Sequence, residues 1–369
     1  MILKCHLNKS KYCLTGRATM KKILLILLLI CSFVQLPIAH AGMIGKQEEI
    51  NMGKEVAGKL EAQYGVVHDD DLQERVERIG QSLVKQCSRQ DLPYTFKVLN
   101  TSDVNALSLP GGFVYVFKGL VDFMPSDDEL AGVLGHEIGH IVKRHSVHQI
   151  EKQLALSLLT ILVGAASGDP GAGIMLATTA SQVLMAGYSR ADEREADEQG
   201  FLLTNKAGYN PYSIYVTMCK LNDLSKEQGN PGYGVFSSHP EPEVRMAKTL
   251  KAIEAMHITP LVAIEKDGSA TVNEGNWRYE FLKTVGSDKP EYRARLMAGA
   301  LYLVKKQGVV DETRFISIDS DSYTDVYYDD IHIVRVYAAD NSSLPTLSDY
   351  GGDVAAKLQI WAREVNGKQ

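Results

Sequence analysis

Apolar side chains recur at helical spacing in the middle of the chain, between residues 126 and 142. The positions that would share one buried helix face are Leu130, Val133, Leu134, Ile138 and Ile141. Ser126 stands three residues before Glu129, which is the arrangement of a capping box at a helix N-terminus. The pattern therefore predicts an amphipathic helix that begins near Ser126.

Shorter patterns elsewhere predict strands and further helices. Residues 94–100 and 112–117 are rich in aromatic and β-branched side chains, as strands are. The Pro-Gly-Gly at 110–112 indicates a turn between them. In the C-terminal part we predict helices at 291–307 and 353–365 and a strand at 331–338. Together these elements predict an α+β fold that is mainly helical.

Residues 154–166 and 173–186 form two apolar runs separated by a loop rich in glycine. Each run is too short to span a bilayer, which requires about 20 apolar residues. A buried helical hairpin is the favoured interpretation. The alternative is a hydrophobic face that touches a membrane or binds unfolded clients.

The chain is long enough for more than one domain. Its 369 residues exceed what one hydrophobic core usually organises, and Pro260 marks a break after a helix-like stretch. We predict one domain at 42–258 and a smaller α/β domain of unknown role at 259–369. The acidic residues between 319 and 330 do not fit the EF-hand template, so the second domain is assigned no chemistry.

His136 and His140 lie four residues apart within the predicted central helix, with Glu137 between them. Residues at this spacing share one helix face, so both imidazoles can reach one metal ion. Glu137, one step around the helix, can hold a water molecule bound to that ion, as in zinc proteases. The predicted chemistry is metal-assisted peptide hydrolysis, and the alternative is a chance match in an ordinary polar helix.

A catalytic zinc ion needs a third protein ligand and an open position for water. Downstream, Glu193 and Asp197 are four residues apart in an acidic helical segment and share a face. We assign Glu193 as the third ligand and Asp197 as the acceptor that holds one histidine N–H. The alternative is a solvated charged helix face, which most such clusters are.

The first 41 residues have the features of a secretory leader. Met20, Lys21 and Lys22 precede an apolar run, and a small-x-small cleavage site follows at 39–41. We predict that translation starts at Met20, that 20–41 is a signal peptide, and that the protein reaches the periplasm. The alternative is that the leader remains as an anchor, which would make the protein membrane-associated.

Net charge limits the classes of binding partner, and the cysteine content limits the possible disulfide bonds. The leader holds six of the 39 basic residues and none of the 45 acidic ones, so the remainder would carry a formal net charge of −12. A polyanionic partner such as nucleic acid is therefore not expected. Outside the leader, Cys87 and Cys219 remain, and they would form either one disulfide in an oxidising compartment or two separate buried thiols.

Four motifs, taken in order along residues 42–257, resemble peptidase family M48, a family of gluzincin-type zinc metallopeptidases. They are Asn105-Ala106 with Pro110-Gly111-Gly112, the His-Glu-Ile-Gly-His of 136–140, Glu193 with Asp197 behind Ser189-Arg190, and His239-Pro240 with Arg245. The resemblance implies one zinc ion per chain, held by His136, His140 and Glu193. It also implies Glu137 as the general base, in a metallopeptidase domain with a small edge-exposed sheet.

The resemblance implies roles for three further residues around the predicted metal site. An edge strand beside the metal helix would align an extended substrate, with Asn105, Gly111 and Gly112 in contact with it. Asn105 could equally cap a turn, since asparagine is common there.

His239 lies at the end of a loop rich in glycine, proline and serine. In some relatives the corresponding histidine can approach the zinc ion as a fourth ligand, which suggests a latent state opened by loop movement. Arg245 is assigned as a charge stabiliser for the tetrahedral intermediate. His145 and His148, placed farther along the same helix as His136, are interpreted as surface residues.

The sequence thus predicts a secreted zinc endopeptidase that cleaves unfolded or misassembled envelope proteins, in contact with an envelope complex or the membrane surface. One alternative is a chaperone-like assembly factor that binds extended chains and whose metal site is blocked. The other is a scaffold in which four ligands, including His239, enclose a structural zinc ion.

Overall fold

The computed structural model describes residues 44–155, 187–229, 239, 242–340 and 344–367. The predicted leader, nearly all of the two apolar runs and the loop at 230–238 lie outside the described residues, so the predictions for them stay predictions. Residues 44–369 belong to one compact unit. Across the described segments, no helix combines the length and the apolar character that crossing a membrane would require.

The order of elements is mainly helical before residue 260 and mixed after it, which confirms the predicted fold class. The first part contains α1 (Lys46–Tyr64), α2 (Asp70–Val84), β1 (Thr95–Leu99), β2 (Ala106–Leu109), β3 (Phe113–Phe117), α3 (Lys118–Phe123), α4 (Asp127–Val142), α5 (Arg190–Lys206), α6 (Ser213–Glu227) and α7 (Pro242–Glu254). The second part contains β4 (Leu261–Ile264), β5 (Ala270–Glu274), β6 (Trp277–Phe281), α8 (Pro290–Lys306), β7 (Phe315–Asp319), β8 (Tyr323–Tyr328), β9 (Ile331–Tyr337) and α9 (Leu347–Asn366).

Helix α4 begins as predicted, at a capping box. The Ser126 side chain accepts the backbone N–H of Glu129, and the Glu129 carboxylate accepts the backbone N–H of Ser126. The prediction of an amphipathic helix is wrong, because every residue from Glu129 to Ile141 is buried. Helices α2, α5 and α6 and the sheet cover α4 on several sides, so polar side chains in this helix are polar groups of the core.

The first sheet has the order β1-β3-β2, with β1 parallel and β2 antiparallel to β3. The sequence patterns predicted β1 and β3 but not β2, which is only four residues long. Strand β2 lies at the edge of this sheet and packs against α4. The sheet thus brings a short edge strand alongside the helix that carries the histidine pair.

Helices α4 and α5 approach each other closely because small residues line their crossing. A Cβ atom at Gly139 would lie 2.6 Å from the carbonyl oxygen of Ala196, and one at Gly200 would lie 2.9 Å from the carbonyl carbon of Gly135. Real Cβ atoms do not approach backbone atoms so closely, so glycine is needed at both positions. The close crossing places the acidic segment of α5 directly over the histidine pair of α4.

The C-terminal part contains two antiparallel three-stranded sheets, β4-β5-β6 and β7-β8-β9. Helix α8 packs on β5 and β9, and α9 packs on β7 and β8. Trp361 of α9 is fully buried in this core and donates its indole N–H to Glu274. The structure confirms the predicted helices at 291–307 and 353–365 and the strand at 331–338, although α9 begins six residues earlier.

The two parts meet at a buried ion cluster. The ammonium group of Lys220 on α6 lies 2.6 Å from a carboxylate oxygen of Glu129 and 2.7 Å from one of Asp288. Burial lowers the pKa of Lys220, but Glu129 and Asp288 outweigh this effect and raise the pKa above its usual value. The lysine is therefore charged where it joins α4 to the segment before α8. The division at residue 258 into two domains stays a prediction.

Cys87 and Cys219 are separate buried thiols. Cys87 lies near the hydroxyl group of Tyr94, whereas Cys219 belongs to a different cluster with Tyr215. Of the two alternatives that the sequence left open, the structure therefore favours free thiols over a disulfide.

Candidate metal centre

The two histidines of α4 turn their Nε2 atoms toward one point. These atoms, of His136 and His140, lie 3.0 Å apart. Burial is the largest influence on His140 and holds its pKa well below the usual value. A neutral imidazole with a free ring nitrogen is the form that binds a metal ion, so His140 is in the form that a metal ligand requires.

Helix α5 adds a carboxylate to this pair. Glu193 Oε1 lies 3.4 Å from His140 Nε2, and Glu193 Oε2 lies 3.6 Å from His136 Nε2. Burial raises the pKa of Glu193, but the three surrounding histidines, led by His239, outweigh burial and hold the pKa far below its usual range. The residue is therefore an anionic donor inside the core, as its assignment as a third ligand requires.

His239 completes the cluster. Its Nδ1 atom lies 2.9 Å from Glu193 Oε1 and 3.2 Å from His136 Nε2, and its side chain is buried. One donor atom from each of His136, His140, Glu193 and His239 lies within 4.8 Å of all the others. The structure thus gathers all four predicted ligand residues, from three separate parts of the chain.

The donor set fits a zinc ion. Three imidazoles and one carboxylate are typical zinc ligands, and three or four of them suit tetrahedral coordination. Without an ion, several ring nitrogens would be crowded together at 3.0–3.4 Å from one another or from a carboxylate among buried side chains. A cation at the common point of these atoms accounts for the arrangement.

Glu137 lies beside the cluster without joining it. Its Oε2 atom accepts a 2.8 Å hydrogen bond from the hydroxyl group of Ser108 on β2, and its Oε1 atom lies 3.7 Å from His239 Nε2. Ser108 therefore fixes the carboxylate and leaves one oxygen facing the metal site. The sequence analysis did not single out Ser108, although it is the one polar residue within β2.

Asp197 and Arg245 form a second layer behind the ligands. Asp197 Oδ1 lies 2.9 Å from His136 Nδ1, as predicted for an acceptor that orients the ring. Burial raises the pKa of Asp197, but the Arg245 hydrogen bonds and charge, with a contribution from His136, lower the pKa well below the usual value. The aspartate is thus anionic and holds His136 with its Nε2 atom directed at the cluster.

Arg245 is enclosed by protein carboxylates. It donates through Nε and Nη2 to the two oxygens of Asp197, each at 2.7 Å, and its Nη1 lies 2.7 Å from Glu193 Oε2. Because its partners are Glu193, the proposed third ligand, and Asp197, which contacts His136, the guanidinium holds two of the proposed metal ligands in place. Its predicted contact with a reaction intermediate stays a prediction.

The prediction for His145 is wrong. His145 is buried, and its Nδ1 atom lies 2.9 Å from Nδ1 of His140. Helix α4 ends at Val142, and Arg144 adopts a positive φ of 59° before a new helical segment starts at residue 145. This change of direction returns His145 to the metal site, whereas His148 is exposed as predicted.

Tyr188 is a further contact of the site that the sequence analysis missed. Its ring stacks on His140 with a centroid distance of 3.9 Å and an interplanar angle of 22°. Its hydroxyl group lies 2.7 Å from Ser146 Oγ. The residue directly precedes the Ser189-Arg190 pair of the acidic motif, which was the available signal.

Asn105, Gly111 and Gly112 have structural partners of their own. Asn105 Oδ1 accepts the backbone N–H of the next residue, Ala106. Gly111 and Gly112 have φ values of 80° and 102°, and a Cβ atom at Gly111 would lie 2.5 Å from Ile50 Cα. Backbone conformation and close packing thus explain both glycines, and substrate contact for these three residues stays a prediction.

Substitution of Gly139 by alanine is expected to weaken metal binding. The added methyl group would meet the Ala196 carbonyl at 2.6 Å, so α5 must move away from α4 and carry Glu193 with it. We expect a loss of zinc affinity of about tenfold or more, since displacement of a ligand or its support has effects of about 10- to 100-fold. Competition with a chromophoric chelator measures the zinc affinity. The matched control is Gly58→Ala, because nothing lies within 4 Å of a Cβ atom at that position. Equal zinc affinity in both variants would refute this account of the helix crossing.

A histidine pair on one helix, a glutamate from a second helix and a carboxylate beside the pair together define a gluzincin-type metal centre. The surrounding α+β fold, with an edge strand along the metal helix, agrees with this class of metallopeptidase.

Comparison with known proteins identifies the family. The sequence profile of peptidase family M48 matches residues 70–253. The metalloprotease YcaL of Escherichia coli K12 is 32% identical over 194 residues, which cover 52% of this chain and 70% of that relative. The chain therefore belongs to peptidase family M48.

Two other relatives share a smaller part of their length with this chain. The beta-barrel assembly-enhancing protease of Escherichia coli K12 is 27% identical over 208 residues, which are 54% of this chain and 42% of that protein. The mitochondrial metalloendopeptidase OMA1 of Schizosaccharomyces pombe is 32% identical over 173 residues, 47% of this chain and 50% of that protein. The chain thus spans about two fifths of the assembly-enhancing protease that it matches.

Proposed function

We propose that this protein is a zinc-dependent endopeptidase that cleaves extended segments of unfolded or misassembled envelope proteins. The observation that carries the proposal is the convergence of His136, His140 and Glu193 donor atoms beside an anchored Glu137 carboxylate. Membership in peptidase family M48 supports the same chemistry.

The chemistry divides between the metal and the protein. His136, His140 and Glu193 would hold a zinc ion, which would supply Lewis acidity for the attack of water on the scissile carbonyl. Glu137 would accept the proton of the attacking water at Oε1, since Oε2 accepts the Ser108 hydrogen bond, and would later pass the proton to the leaving amine. Asp197 and Arg245 keep His136 and Glu193 in place throughout.

The substrate proposal depends on β2. Among the described residues β2 pairs with β3 on one side, and no strand of the described segments covers its other edge. Ser108 of β2 lies within hydrogen-bonding distance of Glu137, so a polypeptide added along this edge would pass close to the general base. Main-chain pairing favours extended chains over folded ones, and unfolded proteins supply such chains.

The proposed cellular compartment and the proposed substrate proteins are inferred from the sequence and from the relatives. The predicted signal peptide would direct the protein to the periplasm, where peripheral contact with the membrane or with an envelope complex would bring it to its substrates. One relative is named for enhancing β-barrel assembly, which supports a role in envelope protein quality control.

His239 supports a latent form of the enzyme. Its Nδ1 atom lies 2.9 Å from Glu193 Oε1 and 3.2 Å from His136 Nε2, and these distances support a role as a fourth ligand. A fourth protein ligand excludes the water that catalysis needs. The same observation favours the second candidate function, a chaperone-like factor that binds extended chains and rarely cuts them.

Cleavage of casein by the purified mature protein tests the endopeptidase proposal. Activity should require zinc and disappear with a chelator. A zinc-loaded protein that binds unfolded chains but leaves them intact would instead support the chaperone-like alternative.

Replacing His239 with alanine is expected to raise casein cleavage several-fold while zinc remains bound, because three protein ligands and an open position then remain. Turnover and zinc content are measured together. The exposed His148→Ala is the control and should behave like the wild type; an unchanged rate in His239→Ala with full zinc content would exclude the switch.

A further inference from the structure

A second imidazole stands directly behind one of the proposed metal ligands. Nδ1 of His145 lies 2.9 Å from Nδ1 of His140, and the His145 side chain is buried. The two rings meet at an interplanar angle of 75°. His140 therefore has a specific hydrogen-bond partner on the ring nitrogen that faces away from the ligand cluster.

The direction of this hydrogen bond follows from the position of the cluster. Nε2 of His140 faces His136 and Glu193, so a metal ion at that point leaves the proton of His140 on Nδ1. His140 then donates to His145 Nδ1, and the proton of neutral His145 lies on Nε2. That atom faces carboxylate oxygens of Glu195 at 3.3 Å and Asp192 at 3.8 Å, which can accept it.

The two metal-binding histidines of α4 are therefore held by different chemistry. His136 is held by the buried carboxylate of Asp197, whose charge is balanced by Arg245. His140 is held by a neutral imidazole, which is connected to the half-exposed Glu195 beside Lys143. Tyr188 stacks on the face of His140 at 3.9 Å, so the ring is fixed both at its edge and at its face.

We propose that His145 is a positioning residue of the metal centre, which accepts the Nδ1 hydrogen of His140 and so fixes the tautomer and ring orientation that present Nε2 to the metal. The proposal rests on the metal site proposed above. It requires that zinc affinity depend on an acceptor at the place of His145 Nδ1, and less on the link from His145 Nε2 to Glu195.

Asparagine and glutamine at position 145 separate these two contacts. The asparagine amide can place an oxygen near the position of Nδ1, whereas the longer glutamine side chain places its amide near the position of Nε2. We expect His145→Asn to retain zinc affinity within about threefold and His145→Gln to lose about 10- to 100-fold, the usual effect of losing a partner of a metal ligand. His145→Leu, which lacks both contacts, should lose as much as His145→Gln.

Zinc dissociation constants from chelator competition provide the first readout, and the visible absorption of the cobalt-substituted protein reports the ligand geometry directly. His148→Asn and His148→Gln, made at an exposed site three residues away, control for the amide substitutions. Because asparagine and glutamine are both polar, the comparison remains decisive even if His145→Leu does not fold.

Equal affinities for His145→Asn and His145→Gln, or wild-type affinity in His145→Gln, would overturn the proposal. A wild-type protein that does not bind zinc would refute the metal site itself, and the positioning role with it. Zinc binding by the wild type, together with a loss in His145→Gln that His145→Asn does not show, is the result that supports it.

Discussion

Replacing Glu137 with glutamine should abolish proteolysis and leave zinc bound. Glutamine keeps the size of the side chain and can still accept the Ser108 hydrogen bond, but it cannot take up a proton at the position of Oε1. General acid–base catalysis contributes about 10²- to 10⁴-fold, so casein cleavage should fall by at least that range. The measurement is the initial cleavage rate together with the zinc content of the same sample.

The wild-type protein would cleave casein slowly if His239 blocks its metal site. We therefore expect the same loss when Glu137→Gln is combined with His239→Ala, where the fourth ligand is absent. Glu198→Gln, on the exposed side of α5 and paired only loosely with Lys248 at 3.5 Å, is the matched control and should retain activity. Cleavage at the wild-type rate by Glu137→Gln would assign the base to another residue.

The histidine pair could be predicted from the sequence because its geometry is local. A spacing of four residues sets both side chains on one helix face, and the capping box at Ser126 fixed where that helix begins. Glu193 could also be predicted, because a second helical motif had to lie against the first. The close crossing at Gly139 and Gly200 is the physical reason that it does.

His145 could not be predicted correctly because the helix was assumed to continue. In an unbroken helix His145 would point away from His136 and His140. The left-handed residue Arg144 ends that geometry, and a non-glycine residue with positive φ leaves no clear signal in the sequence. A single backbone turn thus decided whether the residue was on the surface or at the metal centre.

Contacts between segments that are distant in the chain also could not be predicted from the sequence. Strand β2 was missed because four residues give too short a pattern, and the Ser108–Glu137 hydrogen bond depends on the register of β2 against β3. Burial of α4 on all sides was missed because its polar residues are those of the metal centre. The periodicity that indicates a surface helix is therefore misleading at a functional site.

Substitution of Arg245 by leucine should destabilise the metal-free protein strongly. The buried guanidinium contacts both Asp197 and Glu193, and its removal leaves two carboxylates in the core without their shared cation. Removing one partner from a buried ion pair costs about 3–5 kcal/mol. Urea unfolding of the metal-free protein measures the free energy of unfolding, and zinc should recover part of the loss because it restores positive charge next to Glu193.

Two further variants separate charge from geometry. Arg245→Lys keeps the positive charge but cannot contact both carboxylates with a planar fork, so we expect an intermediate loss of stability. Arg278→Leu removes an arginine from an exposed pair with Glu280 and should cost about 1 kcal/mol or less. If Arg245→Leu instead unfolded like the wild type and lost only its rate of cleavage, the arginine would act on the reaction intermediate rather than on the metal ligands. The three buried contacts at 2.7 Å favour the loss of stability as the result. Two carboxylates already neutralise the charge of this guanidinium, so it would stabilise a negatively charged reaction intermediate only weakly.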